Sequence, residues 1–90
     1  MLAEWEETLE EEVASAAELE TEAFALFEEN RSRLDAELLA EVERGLKNGR
    51  DLLNIVRFGN GVHNKKYAIM ILDEAFGHFD DSIEAIEDAQ

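Results

Sequence analysis

A chain of 90 residues with no cysteine, no proline and a formal charge of −15 excludes several functions at once. Without cysteine there are no disulfides, zinc–thiolate or iron–sulfur sites, and no covalent haem attachment through C-x-x-C-H. The negative charge opposes nucleic-acid binding, which requires a concentrated positive surface.

The apolar content of 46% is enough for one small folded domain, and the lack of proline suits long, uninterrupted helices. No apolar run reaches the ~20 residues of a membrane helix; the longest, "YAIMIL", is a buried helical face. The acidic start "MLAEWEETLEEE" is the opposite of the basic opening of a signal peptide, so the sequence by itself reads as soluble and unexported. Because it opens directly inside a helical pattern, it also suits a domain cut from a longer protein.

The first helix is expected from about Leu2 to Glu29. Leu2, Trp5, Leu9, Val13, Ala16, Ala17, Ala23, Phe24 and Phe27 recur at three- and four-residue steps between glutamates. Its acidic first turns complement the positive end of the helix dipole. "ENRSRLDAE" predicts the first bend, with Asn30 able to take a left-handed conformation and Ser32 capping the next helix. Ser32 and Asp35 have the spacing of a capping box, although glutamate is the better partner there.

The second helix, about residues 33–59, is expected to bury Leu34, Leu38, Leu39, Val42, Leu46, Leu52, Leu53 and Val56, with Phe58 as a further candidate for the buried side. Gly45 and Gly49 lie near one face and admit a close neighbour. Trp5, Phe27 or a planar cofactor would fill that groove, unless "GLKNG" breaks the helix. "FGNGVHN" then ends the helix at Gly59 or Gly61, and Asn64 caps the third. The third helix, about residues 65–88, is expected to bury Tyr67, Ala68, Ile71, Leu72, Ala75, Phe79, Ile83 and Ile86. Short connections make successive helices antiparallel, so the expected fold is all-α: a single-domain, three-helix, up-down-up bundle. Helices of this length, ~37 Å at ~1.5 Å per residue, leave side surface uncovered. Leu39, Ile69 and Phe76 would then form a patch for a second copy, predicting a homodimer.

Charge divides the chain unevenly. Residues 1–43 carry 15 acids and 2 bases, residues 44–66 carry 6 bases and 1 acid, and residues 67–90 carry 7 acids and no base. The basic middle segment either pairs with acidic neighbours or forms a local anion site near His63.

Most familiar chemistry fails on spacing. A bundle di-metal site needs Glu-x-x-His pairs, but Asn60 precedes His63 and Ala75 precedes His78 by three residues. Glu74 and His78 share a helix face and form at most a local pair. Ser15, Ser32 and Ser82 lack an elbow motif, no EF-hand loop is present, and the acidic run "EWEETLEEE" is a solvated helix face. His63 is either a connector residue capping preceding carbonyls or a ligand.

The stretch "NIVRFGNGVHNKKYAIMILDEAFGHFDDSIEAI" resembles the C-terminal helical segment of multihaem c-type cytochromes, including the nitrite reductase-like and octahaem groups. The features that match are Gly61, Val62, His63 and Asn64, two spacer residues, then Tyr67, Ala68, Ile71 and Leu72 opening a long amphipathic helix. The match covers roughly a third of the chain; the rest carries no specific motif. The resemblance implies a helical domain, not itself an enzyme, that packs on the haem core of an electron-transfer protein and contributes to a dimer, in the periplasm. It further implies that His63 serves as a distal axial ligand to haem iron, its other ring nitrogen oriented by a hydrogen bond. Arg57, Lys65 and Lys66 would face haem propionates. Lacking C-x-x-C-H, the chain departs from the family pattern, so any haem c is carried on other sequence. The alternative expectation is an acidic helical-bundle interaction module without cofactor.

Overall fold

A computed structural model describes residues 2–58 and 65–89, with the side chains of residues 9–58 and 66–89. The described residues form α1 (Leu2–Asn30), a short 3-10 turn (Arg31–Arg33), α2 (Ala36–Phe58) and α3 (Lys65–Asp88). The fold is all-α, a slender bundle of 48 × 17 × 16 Å in which all three helices pack on one another and the α2–α3 interface is the most extensive. No helix among the described residues is long and apolar enough to cross a membrane.

The core forms where the apolar stripes meet. Ala16, Ala23 and Phe27 of α1 face Val42, Leu46, Leu53 and Val56 of α2 and Ala68, Ile71, Leu72, Ala75, Phe79 and Ile86 of α3. Leu34, in the connection between α1 and α2, closes one end. Phe79 is the largest fully buried side chain among the described residues, which makes it the centrepiece of the α2–α3 contact.

The first bend differs from the sequence expectation. Asn30 is not left-handed: its backbone lies at φ −111°, ψ 0°, since the chain runs directly from α1 into the 3-10 turn. Its buried side chain closes the helix instead, Nδ2 donating to the Leu26 carbonyl at 2.9 Å while Oδ1 accepts from Arg33 at 3.3 Å. Leu34 is extended at φ −84°, ψ 138°, so α2 starts three residues later than expected and Asp35, not Ser32, is its cap. The Asp35 Oδ1 accepts the Leu38 N–H at 2.8 Å, and the Asp35 carbonyl accepts the Leu39 N–H, also at 2.8 Å. The carboxylate additionally meets the positive helix end. Asp35→Ala is therefore expected to lower stability by about 1 kcal/mol. Ser32→Ala, on an exposed side chain, should stay within about 0.5 kcal/mol of the parent. Urea midpoints of the two variants read the difference.

The expected continuity of the second helix holds: α2 runs unbroken through "GLKNG", including Gly45 and Gly49. The neighbour that these glycines admit comes from α3, and among described side chains Phe27 does not fill the groove. A Cβ on Gly49 would lie 2.7 Å from Phe79 Cε1, and one on Gly45 would lie 2.9 Å from Ser82 Oγ. Trp5 has no described side chain. Tyr67, expected in the core, is 55% exposed. It precedes the buried Ala68 by one residue, a rotation of about 100° that carries it off the core-facing stripe.

Candidate functional site

The residues singled out from sequence fall at or between the end of α2 and the start of α3. His63, with Gly59, Gly61 and Asn64, lies outside the described residues, as does the Lys65 side chain. Lys66 is exposed on the first turn of α3. Arg57 is engaged: its Nη2 donates to Glu20 Oε1 at 3.5 Å, and its guanidinium stands 5.3 Å from the centre of the Phe58 ring.

Glu20 was not anticipated as a key residue. It is only 9% exposed and bridges two arginines, with Arg50 Nε donating to its Oε2 at 3.2 Å and Arg57 meeting its other oxygen. Arg50 also stacks over Phe24 of α1, 3.9 Å from the ring centre, close enough for cation–π attraction. A buried carboxylate is tolerated because both oxygens are paired. Part of the basic segment thus serves to tie α2 to α1, as expected from charge pairing between neighbouring helices. The signal was present in sequence, since Arg50 and Arg57 lie seven residues apart on one helical face. Their partner, 30 and 37 residues away, was not legible.

The corner also carries an apolar face. Among the described residues, the exposed large hydrophobic side chains are Ile55, Phe58, Tyr67, Ile69 and Met70, and all five flank the α2–α3 connection. Ile55, Phe58 and Met70 each follow a buried residue (Leu53, Val56 and Ala68) by two positions. That step of about 200° puts them on the far side of their helices. Phe58 is 69% and Met70 56% exposed. Beside them, between α1 and α2, a groove of about 280 Å³ is lined by Leu9, Val13, Ala14 and Val56 with Glu10 and Arg57. Of the residues expected to make a side patch for a second copy, Leu39 and Phe76 are half-buried and pack against the core. Ile69 is 37% exposed.

A second cluster lies towards the opposite end of the α2–α3 interface. His78 is half-buried and forms no ion pair with Glu74 among the described residues. It lines a groove of about 210 Å³ with Glu41, Val42, Gly45, Asp81, Ser82 and Ala85. Among the described residues no three His, Asp or Glu side chains are grouped to hold a metal ion.

No family model matches this chain, and neither curated proteins nor solved structures include a match.

Proposed function

We propose that this chain is a non-catalytic helical domain that packs, through its α2–α3 corner, against the haem core of a multihaem c-type cytochrome-like electron-transfer protein. The observation that carries this reading is the clustering of Ile55, Phe58, Tyr67, Ile69 and Met70, all exposed, around the connection that contains His63. Scattered surface apolar residues need no explanation, but a concentration at one end of a strongly acidic domain marks a surface for an apolar partner. A macrocycle edge and its protein surround have that character. Exposed Lys66 adds positive charge suited to propionates, as does Lys65 in sequence. Arg57 reaches the same role only by leaving Glu20, a contact of 3.5 Å on a side chain that remains 32% exposed. A bound haem would supply an iron able to take an imidazole nitrogen, and His63 with the apolar and basic surround would hold it.

A c-type haem peptide retaining only its proximal histidine tests this reading. Adding the chain should convert the high-spin haem to a low-spin, bis-imidazole spectrum with a shifted Soret band. His63→Ala should abolish the conversion and His78→Ala should leave it intact. An unchanged spectrum, or equal conversion by the His63→Ala variant, would overturn ligation by His63.

A second reading, an acidic interaction module without cofactor, is favoured by one observation: Arg50 and Arg57 are already engaged by Glu20, which accounts for part of the basic segment without an external anion. It predicts no spectral response from the haem peptide.

A further inference from the structure

At the end of the bundle away from the corner, the groove between α2 and α3 brings Glu41 together with Asp81 and Ser82. Both carboxylates are exposed and reach a ligand from the rim. Ser82 differs. It is only 3% exposed, and its hydroxyl has no protein hydrogen-bond partner among the described residues. Its Oγ faces Gly45 across the interface, 2.9 Å from where a Cβ would stand, and Gly45 lines the same groove. Buried hydroxyls are almost always hydrogen-bonded, so one lining a groove with two carboxylates at its rim leaves its oxygen open to a donor arriving from outside.

The chemistry narrows that donor. A small metal ion does not fit, because no three His, Asp or Glu side chains among the described residues converge on one point. The groove has a volume of about 210 Å³. That volume takes a polar head with several methylenes. Val42 and Ala85 supply apolar wall. An ammonium group offers three donors with no acceptor, matching one hydroxyl and two separate carboxylates; a planar guanidinium instead favours one carboxylate held in a fork. We infer that this groove is a binding site for a primary alkylammonium group, presented either by a free amine or by the lysine side chain of a partner protein. The site is independent of the haem-apposed reading of the corner.

Titration of the ¹⁵N-labelled chain with n-butylammonium tests it. Saturable amide shifts confined to residues 41–45 and 78–85 are expected. Tetramethylammonium, which has the charge but no N–H, should not saturate the site. Glu41→Gln combined with Asp81→Asn should weaken binding at least about tenfold, the factor expected on losing a charge-assisted hydrogen bond. Ser82→Ala should weaken it as well while leaving the amide spectrum otherwise folded. N-acetyl-lysine methylamide distinguishes the sources: if it saturates the same residues, a partner lysine fits; if only the free amine does, the ligand is a small amine. Shifts that grow linearly over the whole acidic surface, equal binding of tetramethylammonium, or an unaltered affinity in the double variant would each overturn the assignment.

Discussion

Phe79→Ala is expected to destabilise the bundle by about 3–5 kcal/mol, the range for emptying a buried aromatic site. Phe79 is fully buried, and a domain of this size has only ~5–15 kcal/mol of total stability, so the variant should lose a large part of it. A urea titration followed by circular dichroism would read the loss as a lowered midpoint. The glycine facing Phe79 gives a sharper test of the same contact. Gly49→Ala should raise helix propensity by up to ~1 kcal/mol, yet its new Cβ would lie 2.7 Å from Phe79 Cε1. Overpacking a filled core costs about 1–3 kcal/mol, and the ring has no solvent side towards which to retreat, so Gly49→Ala should be net destabilising. Gly77 is the internal control: a Cβ there meets nothing within 4 Å. Gly77→Ala should therefore show the propensity gain alone and raise the midpoint. Adding Phe79→Leu to Gly49→Ala should relieve part of the clash, giving a coupling of about 0.5–3 kcal/mol. A higher midpoint for Gly49→Ala alone would show that helix propensity, not ring packing, governs this position.

The second large effect concerns the corner. Replacing Ile55, Phe58 and Met70 together by serine should leave the urea midpoint nearly unchanged, since these side chains are 49%, 69% and 56% exposed and point away from the core. The same variant should bind the c-type haem peptide far more weakly. Burying one large apolar side chain contributes about 1.5–3 kcal/mol, so each residue that meets the haem surround should account for at least about tenfold in affinity. His63→Ala separates the contributions, removing the low-spin spectrum while retaining apolar association. If the triple-serine variant converts the haem peptide as readily as the parent, the corner face is not where the macrocycle docks. If its midpoint falls sharply, these side chains belong to the fold rather than to a docking surface.

The sequence by itself determined the class of fold. Heptad-like apolar spacing, the absence of proline and the glycine-rich break before α3 specify helices whose boundaries differ from those described by only a few residues. Most of the core positions, from Ala16 to Ile86, follow from the same period, because a helix presents every third or fourth residue to one side. Turn chemistry was less legible. Asp35 and Ser32 are both acceptable caps, and the choice depended on Leu34 adopting an extended conformation to bury its side chain. Three features were decided only by tertiary structure: the pairing of Gly49 with Phe79, the bridging of Arg50 and Arg57 by Glu20, and the grouping of Glu41, Asp81 and Ser82. Each joins residues that are far apart in the chain, and no local propensity encodes which helix face meets which. The single-helix period can say that Ile55, Phe58 and Met70 lie off the core stripe. It takes the third helix, packed against the first two, to show that they stay about half or more exposed.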